Sequence, residues 1–89
     1  MTTTLYTQPG CGACIFAAKD LTKAGIDYVT RDVRTDEAAR DELLALYAAH
    51  RDSGEHPQTP VIVIDGTPFF GPVELHAYLR QLARASTAA

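Results

Sequence analysis

The spacing of apolar residues switches between a period of two and a period near 3.6 along this chain, and that alternation limits the folds open to it. Thr2 to Thr7 is β-branched and aromatic and predicts a first strand. From Ala13 to Ala24, residues Cys14, Ala17, Ala18, Leu21 and Ala24 recur at helical spacing, and Gly25 supplies a stop. Ile26 to Val33 alternates again, Ile26, Tyr28 and Thr30 against Asp27, Val29 and Arg31, which predicts a second strand. A second helix is expected from near Asp36, with Thr35 as N-cap, Asp36 and Glu37 in its first turn, and Ala39, Leu43, Leu46 and Tyr47 as its apolar stripe.

The second half continues the pattern. His50 to Gln58 is polar and reads as a loop. Val61-Ile62-Val63-Ile64 is wholly apolar and β-branched and predicts a central, buried strand. Asp65-Gly66 is a strong hairpin signal, with Thr67 to Phe70 as the returning strand. Gly71-Pro72 opens a last helix, proline suiting the first helical position, and Leu75, Tyr78, Leu79 and Leu82 form its inward face. Residues 86–89 are expected to fray. The order βαβαββα requires a parallel pair first and a hairpin last. The predicted architecture is α/β: a four-stranded mixed sheet with helices on both faces.

The chain's two cysteines, Cys11 and Cys14, fall as Cys-Gly-Ala-Cys where the first strand hands over to the first helix. A zinc site built on such a pair usually needs two further ligands, and the sequence holds no second cysteine pair and no H-x-x-x-H element. Two thiols at a strand–helix junction suit a dithiol redox centre. Unpaired backbone N–H groups and the positive end of the helix dipole favour a thiolate at Cys11, the species that attacks a disulfide. Cys14, one turn on and on roughly the same face, is placed to attack the mixed disulfide that results. Cys11 is therefore the candidate nucleophile and Cys14 the candidate resolving thiol. Gly12 and Ala13 carry no functional group, and their small size suits close approach of a partner protein.

With 89 residues, one domain spanning 1–89 is expected. A net charge of −3, without a basic run, makes nucleic acid an unsuitable partner. No apolar stretch approaches the roughly 20 residues of a membrane span. Met1-Thr2-Thr3-Thr4 has neither the basic nor the apolar region of a signal peptide, so a cytoplasmic location is expected, where a disulfide is more often transient than structural. His50, His56 and His76 lie on a helix end, a loop and a helix, and no metal site is expected from them. Arg31, Asp32, Arg34, Asp36 and Glu37 read as a solvated edge, and Tyr6, Tyr28, Tyr47 and Tyr78 as core.

Together with the element order, Tyr6-Thr7-Gln8-Pro9-Gly10-Cys11-Gly12-Ala13-Cys14 and Gln58-Thr59-Pro60-Val61-Ile62-Val63-Ile64-Asp65-Gly66 resemble glutaredoxin-like proteins of the thioredoxin-like superfamily, from about Thr4 to Leu82. Among these the chain is most similar to the NrdH-redoxins, small redoxins that feed electrons to ribonucleotide reductase. The resemblance implies a cis bond before Pro60, which shapes the site, and a Thr59 whose backbone pairs with an extended substrate. It places Gly71-Pro72-Val73-Glu74 where glutaredoxins hold one end of glutathione. Phe70 stands where a first glycine is usual there, Pro72 removes an N–H donor, and Gln8 replaces a common lysine. These departures favour a protein substrate and regeneration by a thioredoxin reductase with NADPH over a low-molecular-weight thiol. Thr59, Pro60, Gly71, Gln8 and Phe70 are thus the candidate substrate-binding residues, with Phe70 read either as a partner-docking residue or as core.

The resemblance implies no bound cofactor, a disulfide-containing protein substrate with ribonucleotide reductase as the candidate, and a monomer. Two alternatives belong to the same family: a module holding an iron–sulfur cluster between two subunits, and a glutaredoxin dependent on glutathione or mycothiol. Retention of both cysteines and the altered glutathione region weigh against the cluster.

Overall fold

Four short strands pair in the order β2-β1-β3-β4. The elements, in a computed structural model that describes residues 2–52 and 54–88, run β1 Thr3–Thr7, α1 Gly12–Lys23, β2 Val29–Asp32, α2 Glu37–His50, β3 Val61–Ile64, β4 Thr67–Phe70 and α3 Pro72–Ala88. This is the predicted βαβαββα order. β1 and β2 are parallel, in register Thr4 to Val29 through Thr7 to Asp32, and β3 is antiparallel to both β1 and β4. No helix of the described residues is long and apolar enough to cross a membrane.

Alternation along the central strands divides the core in two. Leu5, Ile62 and Ile64 point to one face and pack against Ala17 and Leu21 of α1 and Leu75 and Leu79 of α3. Tyr6 and Val61 point to the other and pack against Ala39 and Leu43 of α2. The sheet thus has two helices on one side and one on the other. Leu5, Leu21, Ile62 and Leu75 are wholly enclosed, each burial contributing about 1.5–3 kcal/mol before entropy is counted. Asp65 (φ 49°) and Gly66 (φ 83°) form the β3–β4 turn, the pair of positive φ values that a two-residue type I′ hairpin requires.

Three sequence expectations need adjusting. β2 begins at Val29, not Ile26. The N–H of Ile26 donates to Leu21 O at 3.0 Å and that of Gly25 to Thr22 O at 3.0 Å, a Schellman end to α1 that keeps Ile26 out of the ladder. Ile26 and Tyr28 still pack on the α1–α3 core, from coil. The cap of α2 is Asp36 rather than Thr35: Asp36 Oδ1 accepts the Ala39 N–H at 3.2 Å. Leu82 is 42% exposed. A 17-residue helix is about 25 Å long, whereas a four-residue strand spans about 13 Å, so the far half of α3 has no sheet beneath it. α3 runs to Ala88, and Ala89 lies outside the described residues.

Candidate active site

β1 ends at Thr7, and the Gln8-Pro9-Gly10 turn, with Gly10 at φ +77°, delivers Cys11 to the start of α1. Cys11 is itself the N-cap (φ −91°, ψ 100°), and its Sγ accepts the Cys14 N–H at 3.1 Å. Its carbonyl accepts from the N–H groups of Cys14 (3.2 Å) and Ile15 (3.3 Å). The two sulfurs are joined in a disulfide with a Cα–Cα distance of 5.2 Å, inside the range that a disulfide spans. Cys14 is 3% exposed and sits beneath a half-buried Cys11. Cys11 is therefore the more accessible of the two cysteines, and Cys14 is shielded.

The loop before β3 closes the other side. The Thr59–Pro60 bond is cis. Thr59 O lies 3.8 Å from Cys11 Sγ, and the Thr59 hydroxyl donates to that sulfur at 3.5 Å. Gln8 Nε2 donates to Thr59 Oγ1 at 2.9 Å. Gly71, at φ +94°, donates its N–H to Pro60 O at 3.0 Å and so ties the β4–α3 junction to the same loop. Of the residues singled out from sequence, the structure brings Gln8, Cys11, Cys14, Thr59 and Pro60 together and attaches Gly71 to them through Pro60. Phe70 packs instead into the α2-side core, edge-on to Tyr47 at 4.8 Å, with the Arg51 guanidinium 5.0 Å over its ring.

Two features escaped the sequence. One is the Thr59 side chain, since only its backbone had been given a role. The other is the start of α3, where Glu74 Oε1 accepts the Phe70 N–H at 3.0 Å and Glu74 Oε2 accepts from Arg51 Nη1 at 2.9 Å. Arg51 also pairs with Glu55 at 2.6 Å, and these two carboxylates raise the pKa of its guanidinium further, Glu55 foremost. A glutamate in the first turn of a helix is a signal the sequence carries, although its bond here goes to Phe70, one residue before the cap position. The partner Arg51, 23 positions away, was not legible.

Beside the cysteines, Gly12, Ala13 and Phe16 of α1 and Pro72, Val73 and Ala77 of α3 line an open, largely apolar groove of about 680 Å³. Phe16 and Val73 are 57% and 79% exposed. His76 and Arg80 also line it, and His76 Nδ1 is 2.9 Å from Asp20 Oδ2, a link between α3 and α1. Among the described residues, no group of three His, Cys, Asp or Glu side chains converges as a metal site would need.

A second polar network supports the α2 side. Tyr6 Oη donates to Glu42 Oε1 at 2.7 Å, and Arg31 bridges Glu42 (2.7 and 2.8 Å) and Asp36 (3.2 Å). The charge cluster read as a solvated edge is therefore partly a built network. Burial, reinforced by Glu42, pushes the Tyr6 phenol up to about 12. The Tyr6 hydroxyl and Arg31 hold Glu42 below the usual carboxylate range, and the Ala39 N–H and Arg31 do the same for Asp36.

The sequence matches the glutaredoxin family model over residues 3–69. No curated protein matches it. Among solved structures, the thioredoxin-like protein BC3987 is 33% identical, covering 88% of this chain and 99% of its own, with a TM-score of 0.70. The NrdH-redoxin from Escherichia coli is 22% identical over 92% of this chain and 95% of its own (TM-score 0.71). A dithiolic glutaredoxin, 2-C-Grx1 from Trypanosoma brucei brucei, is 21% identical over 90% and 78% (TM-score 0.72). The last two are similar in fold.

Proposed function

The chain belongs to the glutaredoxin family and is a thiol–disulfide oxidoreductase, and on that premise we propose that it is a dithiol electron carrier reducing disulfides of partner proteins through Cys11 and Cys14. The observation that carries this reading is a half-buried sulfur capping a helix with a shielded second sulfur within bonding distance. In the reduced protein, the Cys11 thiolate attacks one sulfur of the partner's disulfide. A Cys11–partner bond forms, the partner's own S–S bond breaks, and its second sulfur leaves as a thiolate that takes a proton from solvent. Cys14 then loses its proton and attacks Cys11. The partner departs with both sulfurs reduced, and two electrons have moved from the chain, which is left with the Cys11–Cys14 bond.

The residues around the sulfurs suit this sequence. The N-terminus of α1 favours the attacking thiolate. Thr59 offers backbone for an extended segment to pair with, Pro60 and Gly71 shape its bed, and Gln8 supports Thr59. The groove of Phe16 and Val73 extends the apolar surface beside Cys11 over an area suited to a protein.

The start of α3 argues against glutathione as the principal substrate or reductant. A helix N-terminus binds a carboxylate through its first N–H groups. Here Pro72, at the first helical position, has no N–H, and just before the helix the Gly71 N–H is held by Pro60 O and the Phe70 N–H by Glu74. Glu74 places a negative charge there as well. On this reading electrons come from a reductase acting on the disulfide directly, a thioredoxin reductase with NADPH, and ribonucleotide reductase is the candidate recipient. The same reading makes the protein a cytoplasmic monomer.

The discriminating assay follows NADPH oxidation by oxidised protein with thioredoxin reductase, against glutathione or mycothiol with the matching reductase. We expect turnover in the first system to exceed that in the others at least about tenfold, a difference of about 1.4 kcal/mol in barrier. Reduction by the low-molecular-weight thiols alone would replace this reading with the thiol-dependent one.

A further inference from the structure

Among the described residues, two donors reach Cys11 Sγ: the Cys14 N–H at 3.1 Å and the Thr59 hydroxyl at 3.5 Å. Neither carries a charge. The second has a defined direction. A hydroxyl has one proton and two lone pairs. Gln8 Nε2 donates to Thr59 Oγ1 at 2.9 Å and so fills one lone pair. The hydroxyl proton is then left to point elsewhere, and the sulfur is its acceptor. With the amide reversed, the Gln8 oxygen would take that proton and leave the sulfur without it.

We propose that Thr59 and Gln8 form a directed relay, in which the Gln8 amide fixes the Thr59 hydroxyl as a donor to the Cys11 thiolate and thereby lowers the pKa of that thiol. The proposal deepens the functional reading above and rests on Cys11 being the attacking sulfur. Thr59 touches the reacting sulfur; Gln8 acts through Thr59 and is a positioning residue. A thiolate is a far better acceptor than a disulfide sulfur, so the bond gains most in the state that reacts. Hydrogen bonding to the charged form of an acid favours ionisation. The relay supplies this from neutral groups.

Other charges around this end are accounted for. On α3, Glu74 is tied to Arg51 and the Phe70 N–H, and His76 and Arg80 line the groove beside Gly12 and Ala13. Asp20 of α1 is engaged by His76. In the 51–58 loop, Arg51 pairs with Glu55, and His56 is exposed. None of these is hydrogen-bonded to Cys11, and all are retained in the variants below.

The test is the pH profile of iodoacetamide alkylation of the reduced protein, with the modified cysteine identified by mass spectrometry, which reads the thiol pKa without reference to any partner. We expect Thr59→Val to raise the Cys11 pKa by about one unit, a tenfold loss of thiolate below the pKa. Thr59→Ser, which keeps the hydroxyl, should restore most of it. Gln8→Leu should give about half the Thr59→Val shift, and the double variant should match Thr59→Val alone. An unchanged Cys11 profile in Thr59→Val overturns the relay while leaving Cys11 as the nucleophile. Gln8→Leu adding its full shift on top of Thr59→Val overturns the role of Thr59 as intermediary. Alkylation of Cys14 before Cys11 overturns the nucleophile assignment itself, and the relay with it.

Discussion

The first turns of α1 and α2 are built alike and put to different ends. Each begins with an extended-backbone cap whose side chain accepts the N–H three residues on: Cys11 Sγ from Cys14 at 3.1 Å, Asp36 Oδ1 from Ala39 at 3.2 Å. The same physics favours negative charge on both caps. Asp36 is ionised at neutral pH, has the Arg31 guanidinium at 3.2 Å, and belongs to a network reaching Glu42 and Tyr6. Among the described residues, Cys11 has no cation in hydrogen-bond reach, only the neutral donors of Cys14 and Thr59. A permanently charged, doubly supported cap serves stability. A cap of adjustable charge, supported by neutral groups, serves reactivity.

The largest effect should come from separating the two roles at Cys11. Cys11→Ser should lower disulfide-reduction turnover by at least about 100-fold, since no second group replaces an absent nucleophile. Serine is nonetheless a preferred N-cap. Compared with the reduced wild-type protein, this variant should keep its thermal midpoint or gain slightly. Cys14→Ser should leave the first attack intact and accumulate a mixed disulfide with the partner, visible as a covalent species on non-reducing gels. If Cys11→Ser turned over normally, the distinction drawn between the two helix starts would fail.

Asp36→Ala should behave in the opposite way. Loss of a good cap in a domain of this size lowers the thermal midpoint by about 5 °C, while the alkylation profile of Cys11 stays unchanged. The pH dependence carries a sign. The pKa values of Asp36 and Glu42 are lowered in the folded protein from ordinary values of 3.8 and 4.5. Their contribution is therefore fully present above those values and is lost as pH falls through the lower, folded ones. Wild-type protein should lose stability on that acid limb, and Asp36→Ala should flatten it. A shift of the Cys11 profile in this variant would show that the two helix starts are coupled through the sheet.

What the sequence made legible follows from how local each signal is. Cys11 at a helix start, the Val61–Ile64 strand, the Asp65-Gly66 hairpin and Pro72 at the first position of α3 each rest on a few neighbouring residues, and all appear. Strand β2 was drawn too long because alternation in Ile26 and Tyr28 reflects packing on the α1–α3 core rather than ladder pairing. The α2 cap slipped by one residue because Thr35 and Asp36 are both good caps, and Arg31, brought alongside by β2, favours the aspartate. Thr59 to Gln8 spans 51 positions and Tyr6 to Glu42 spans 36. No local rule joins residues so far apart, and those are the contacts that make the two networks.

The smallest expected effect tests how far the support of α2 extends. Tyr6 is 6% exposed and its hydroxyl donates to Glu42 Oε1. Tyr6→Phe removes that donor but leaves Glu42 held by two bonds from Arg31 Nη1, so the midpoint at neutral pH should fall by only about 3 °C. The more specific reading is alkaline. Burial first, then Glu42, raises the Tyr6 pKa from 10.0 to about 12. The fold thus favours the protonated phenol, and its contribution is complete below the unfolded value and lost as pH rises from 10 towards 12. Denaturation measured across that window should show a falling limb that Tyr6→Phe reduces, with loss of the highest-pKa tyrosine from the 295 nm titration, while the acid limb set by Asp36 persists. An alkaline limb of equal size in Tyr6→Phe would end the network at Arg31, leaving the α2 cap supported by the sheet edge alone and no better anchored in the core than the cap of α1.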